Sequence, residues 1–157
     1  MENENQTVKR MWESYLESIG ETSDTTKKKY EAWHFCNNEQ DANELATLVL
    51  DGTKKATASL YDVYAFEGEE VPKPGDLSII TGWNGKAKCI IKTIAITIVP
   101  FKEVTAEFAA KEGEGDKSLE FWRRIHLKFF KEECREMSKE FHEDMKVVCE
   151  EFEVVFK

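Results

Sequence analysis

Hydrophobic positions recur at helical spacing over Val8, Met11, Trp12, Tyr15, Leu16 and Ile19, and Gly20 follows them. That pattern predicts a first amphipathic helix with a glycine stop. Glu21 to Lys29 is polar and charged and reads as a loop or frayed helix. Trp33-His34-Phe35-Cys36 is a short aromatic segment of strand type, ended by Asn37 and Asn38. Ala42, Leu45, Ala46, Leu48 and Val49 return to helical spacing, and Gly52 closes this second helix.

Beyond Gly52 the period shortens. Ala56 to Leu60 reads as a strand, and Pro72-Lys73-Pro74-Gly75-Asp76 as a turn leading into a second strand, Leu77 to Ile80. Asn84-Gly85 is a hairpin signal. Cys89 to Val99 is rich in β-branched residues, with Ile94, Ile96 and Ile98 alternating against Ala95 and Thr97. Pro100 marks its end. Thr105 caps a short helix through Lys111, and Ser118 a longer one to about Phe130 that carries Trp122, Ile125, His126 and Phe129 on one face. Val147 to Phe156 alternates Phe152, Val154 and Phe156 against Glu151 and Glu153, as in a half-buried strand. The order predicts an α+β fold on a mixed or antiparallel sheet, curled into a β-barrel with flanking helices. The helix and loop of residues 1–29 precede a main domain of residues 30–157.

Composition narrows the function classes. A chain of 157 residues with 41% hydrophobic and 34% charged residues is of globular type. The formal charge of -9 argues against coating long duplex DNA and leaves a short RNA or small ligand as the partner. No apolar run approaches the roughly 18 residues of a membrane helix, and the polar start from Met1 to Asn5 is unlike a signal peptide. Cys36, Cys89, Cys134 and Cys149 show no short pairing. They read as reduced thiols of a cytoplasmic protein, with no zinc site, metal or cofactor called for.

Three constellations carry candidate chemistry. Lys54 and Lys55 follow Gly52 at a helix-to-strand turn, with Thr57 three residues beyond Lys54. Either lysine can be a solvated helix cap; alternatively one is desolvated and takes a proton from a hydroxyl. Glu112-Gly113-Glu114-Gly115-Asp116 is either an acidic surface loop with Asp116 as N-cap, or a carboxylate rim whose glycines let backbone approach a ligand. Trp122 and His126 share a helix face, either as core or with a tryptophan (Trp122 or Trp33) stacking on a base while Arg123 meets a phosphate.

Trp33-His34-Phe35, Gly52-x-Lys54-Lys55-Ala56-Thr57, Pro74-Gly75-Asp76, Val99-Pro100-Phe101, Glu112 to Asp116, Trp122-Arg123-x-x-His126 and Phe129-Phe130 occur in that order. The set resembles a bacterial branch of the ASCH domain family, from about Tyr30 to Phe156. The resemblance implies a PUA-like barrel that binds RNA or a modified nucleoside. Some small bacterial relatives remove the acetyl group of 4-acetylcytidine with a lysine, a threonine and a glutamate. These fall on Lys54, Thr57 and Glu112. Other relatives act as metal-dependent ribonucleases, and a non-catalytic RNA-binding module is a third possibility. Resemblance and residue reading together give Trp33, Lys55, Ser59, Glu114, Arg123 and His126 as candidate ligand contacts. The chain differs from the small amidohydrolases in its length, in Lys55 and Ala56 within the motif, and in the Gly-rich loop after Glu112.

Overall fold

A computed structural model describes residues 4–157; the polar start at Met1 to Asn3 lies outside the described residues. Five helices and five strands are seen among them. They are α1 (Glu4–Ser18), β1 (Tyr30–Trp33), α2 (Glu39–Leu50), β2 (Ala56–Leu60), α3 (Tyr61–Glu67), β3 (Leu77–Thr81), β4 (Ala87–Pro100), α4 (Ala106–Glu112), α5 (Leu119–Glu136) and β5 (Lys146–Phe156). A 3-10 turn, Phe101–Glu103, follows β4. Hydrogen bonds order the strands β1-β3-β4-β5-β2. β1 runs parallel to β3, while β3–β4 and β2–β5 are antiparallel. The fold is therefore α+β with a mixed sheet. The sheet is not the closed barrel expected from the sequence: β1 and β2 are its edges. With 4 and 5 residues, these edges are much shorter than β4 with 14 and β5 with 11, and closure needs matched, staggered edges.

The chain divides into two compact units. The first comprises residues 1–52, 75–93 and 153–157. Its core packs Val8, Trp12, Tyr15 and Leu16 of α1 with Leu77, Ile79 and Ile90 of the hairpin. α1 ends as its sequence predicts. Gly20 is left-handed at φ 78, the Gly20 amide donates to Glu17 and the Glu21 amide to Leu16, which is the paired bonding of a Schellman close. The β3–β4 hairpin turns at Gly85, φ 82, where the Asn84 side-chain oxygen accepts from the Lys86 amide.

The second unit comprises residues 53–74 and 94–152. Ala56 and Leu60 of β2, Val147 and Cys149 of β5, Phe101, Phe108, Trp122, Phe130 and Cys134 form its core. The Thr105 hydroxyl caps α4 by accepting from the Phe108 amide, and Ser118 caps α5 by accepting from the Phe121 amide. Asp116 is thus not the cap; its carboxylate accepts from the Ser118 amide instead. α5 buries Trp122, His126, Phe130 and Cys134, a line at i+4 spacing. Ile125 falls off that line and is 39% exposed, in contrast to the expected stripe. Tyr61, Tyr64 and Phe66 lie on α3.

Phe130 is fully buried and meets both Phe101 and Phe141 edge-on or tilted. Phe130→Ala should lower unfolding free energy by about 3–5 kcal/mol, read by urea denaturation followed through tryptophan fluorescence.

Candidate functional site

Two backbone contacts set Lys54 in place. The Lys55 amide donates to the Lys111 carbonyl at 2.8 Å, and the Phe152 amide donates to the Lys55 carbonyl at 3.0 Å. The segment before β2 is thereby tied to the end of α4 and to β5. Gly113 ends α4 in the left-handed region at φ 70, and a Cβ there would lie 2.3 Å from the Thr53 carbonyl oxygen. Only glycine allows the two segments this approach. Gly115 is similarly pressed against the Phe121 ring. The loop glycines thus admit the protein's own groups.

The result is a buried ionic cluster. Lys54 is 2% exposed and Glu112 is 0% exposed. The Lys54 ammonium donates to Glu114 Oε2 at 3.0 Å. Glu112 Oε2 accepts from the Trp122 indole N–H at 2.8 Å and lies 3.1 Å from His126 Nε2. His126 Nδ1 donates to the Trp122 carbonyl at 2.9 Å, and its ring stacks on the Trp122 indole at 4.2 Å and 15°. Glu112 Oε1 is buried and takes no hydrogen bond from a fixed donor among the described residues, while the Glu112 and Glu114 carboxyls share a hydrogen bond when Glu114 is protonated.

The two carboxyls are driven apart. Burial works against charge on Glu112, but the Lys54 and His126 charges and the His126 hydrogen bond outweigh it and hold the group well below the usual carboxylate range. Burial raises Glu114, the Lys54 charge opposes it, and the adjacent Glu112 charge and the hydrogen bond to Glu112 tip the balance upward. Burial also works against the charged form of His126, yet the charge and hydrogen bond of Glu112 raise it above its ordinary value. Both His126 nitrogens face acceptors, so the imidazolium fits. Neighbouring carboxyls with opposite displacements are an acid–base arrangement. Glu112, Glu114 and His126 also offer donor atoms within 4.8 Å of one another. The Lys54 ammonium, however, already occupies the cationic position on Glu114, so the set reads as a proton network. Burial, then the charges of Glu112 and Glu151, push the nearby Cys149 thiol up to about 12, which removes it as a nucleophile.

Of the candidates from the sequence, Lys54, Glu112, Glu114 and His126 come together. Thr57 and Ser59 lie on β2, and Thr57 is paired with Glu150 of β5. Strand alternation turns both away from the face of Ala56 and Leu60. Ser59 hydrogen-bonds Tyr64, whose hydroxyl is pushed up to about 12, chiefly by burial. The Lys55 side chain is exposed; its backbone serves the site. Arg123 donates to the carbonyls of Phe101, Lys102 and Val104 and lies over the Phe101 ring. Its donors thus hold the 3-10 turn. Trp33 is half-buried in the other unit, edge-on to Phe35 at 4.9 Å. Two features were missed: the Trp122 N–H as a partner of Glu112, and Glu133, which burial and then Glu67 and Glu136 push up to about 7.

His126 gives a stability signature. A raised folded-state value contributes stability that is fully present below the unfolded value of 6.5 and is lost as pH rises through the folded value. The difference in thermal midpoint between wild type and His126→Gln should therefore shrink from pH 6.5 upward; a constant difference would contradict the assigned charge.

The chain matches the ASCH domain family over residues 31–156. It is similar to the crystal structure of an ASCH domain from Lactobacillus crispatus JV V101, with 40% identity, a TM-score of 0.89, and coverage of 97% of this chain and 96% of that one. It is also similar to a protein from Enterococcus faecalis V583, with 33% identity, a TM-score of 0.85, and coverage of 96% and 89%. No curated protein matches the chain. A site built around Lys54 and Glu112 thus sits in a sequence and fold of one kind, and the chain belongs to the ASCH domain family.

Proposed function

We propose that the chain is a cytoplasmic hydrolase of PUA-like type that acts on an acylated nucleoside of the 4-acetylcytidine kind, free or within a short RNA. The observation that carries this reading is the burial of Lys54 against two carboxyls displaced in opposite directions. A desolvated lysine with a proton-accepting neighbour is the equipment needed to activate a hydroxyl. Lys54 passes a proton to Glu114 and takes one from the hydroxyl that attacks the acyl carbonyl, a role that the family resemblance gives to Thr57, three residues beyond Lys54 on β2. The C–N bond breaks, the free amine leaves with the returned proton, and water then hydrolyses the Thr57 ester. Glu112 remains an anion and steadies Lys54. The net charge of -9 supports a small or short substrate over a long nucleic acid.

Release of free cytidine from 4-acetylcytidine, followed by chromatography, tests the reading. Lys54→Ala and Thr57→Ala should each lower turnover by ~100-fold or more, and Glu112→Gln should also lower it. A ribonuclease reading draws on the three donor groups within 4.8 Å; RNA cleavage abolished by chelator, with no nucleoside turnover, would favour it. Binding of RNA or nucleoside without turnover of either would favour a non-catalytic module.

A further inference from the structure

The asymmetry between the two carboxyls has a visible source. Trp122 and His126 stand one helical turn apart on α5, their rings stacked, and both nitrogens reach the same oxygen, Glu112 Oε2. The His126 ring is itself fixed by its bond to the Trp122 carbonyl. Glu112 therefore has one oxygen held twice, and its carboxyl also shares a hydrogen bond with Glu114 that lowers Glu112 and raises Glu114. Among the described residues the charged donor on Glu114 is the Lys54 ammonium, and its side chain is 18% exposed.

We propose that Trp122 and His126 form a two-donor clamp that fixes Glu112 as the permanent anion of the site, and so leaves Glu114 as the carboxyl that carries and releases the proton. The inference deepens the hydrolase reading: it assigns Glu114 the exchange with Lys54 and makes Trp122 and His126 positioning residues that act through Glu112. Charge counting agrees. Lys54 and His126 as cations balance Glu112 and Glu114 as anions. When the Lys54 proton moves to Glu114, the His126 cation still balances Glu112 and the cluster stays neutral, so the transfer creates no uncompensated buried charge. The ionisable groups around the clamp are Glu112 of α4, Glu114 of the following loop, Lys54 before β2 and Glu133 of α5 itself, with Cys149 of β5 facing Glu112.

The test is a carbon-13 NMR titration of the glutamate side-chain carboxyls in the intact chain, for wild type, Trp122→Phe and His126→Gln. Trp122→Phe keeps the stacked ring and loses the donor; His126→Gln keeps a donor and loses the charge. Near-UV circular dichroism selects the variants that retain the native packing. In wild type Glu114 should titrate at higher pH than Glu112. In either variant the Glu112 midpoint should rise by about one pH unit or more toward Glu114, the size expected when a close charge or hydrogen bond is removed. A Glu112 midpoint unmoved in both variants, or one above that of Glu114 in wild type, would overturn the proposal. So would addition of Mn2+ that broadens the Glu112 and Glu114 signals together, because a metal ion would then own those oxygens. The kinetic arm uses 4-acetylcytidine: in wild type the acid limb of the kcat profile should follow the Glu114 midpoint, the carboxyl that accepts from Lys54, and in both variants KM should change less than about twofold when only transition-state interactions are lost. A wild-type limb that follows the Glu112 midpoint instead would overturn the assignment. Absence of turnover in wild type would defeat the hydrolase reading, and the carboxyl titration would then decide the clamp by itself.

Discussion

A fully buried carboxylate is the constraint around which the second unit is organised. Removing Glu112 from water carries a penalty of several kcal/mol unless neighbours compensate. The compensation comes from three directions: the Lys54 charge before β2, and an indole N–H and an imidazolium on α5. Each donor constrains the element that bears it. α5 must present Trp122 and His126 on its buried line, and the segment before β2 must lie close enough to α4 for Lys54 to be enclosed. Much of the local architecture follows from keeping that one anion satisfied.

Arg123 illustrates how the clamp is supported from behind. It sits beside Trp122 in sequence but turns its guanidinium to three carbonyls around the 3-10 turn. Phe101, at the start of that turn, packs against the Trp122 ring at 5.5 Å. The arginine thus holds the surface on which the indole rests. A residue that reads in sequence as a phosphate contact is committed here to the scaffold.

The segments legible in the sequence were those with strong period and strong punctuation. α1 with Gly20, α2 with Gly52, the Asn84-Gly85 hairpin and the Thr105 and Ser118 caps each carry a local signal that needs no tertiary information. α3 carries none: it is seven residues long and apolar or aromatic at all but Asp62 and Glu67, so no period sets one face apart from another. The buried line of α5 departs from the expected face at Ile125 because i+3 and i+4 neighbours share a face in spacing, and packing selects the i+4 line of Trp122, His126, Phe130 and Cys134. Sheet closure was not legible either, since alternation reports the face of a strand and not its final neighbour. Within the site, Glu112 was reached through family resemblance. Its bond to Trp122 spans ten positions and a loop turned by two left-handed glycines, a geometry that side-chain spacing does not encode.

The contact of Gly113 with the Thr53 carbonyl bears on how this chain can vary. It fixes the end of α4 against the backbone before β2, so the helix has a set phase as well as a set position. One residue inserted within α4 would turn the helix by about 100° and advance it by about 1.5 Å. With the end held, Glu112 keeps its place and the start of the helix must absorb the turn; with the start held, Glu112 swings off its donors. Length variation in this family should therefore collect in the segments that approach α4 from outside, while the count of residues from Thr105 to Gly113 behaves as a fixed gauge.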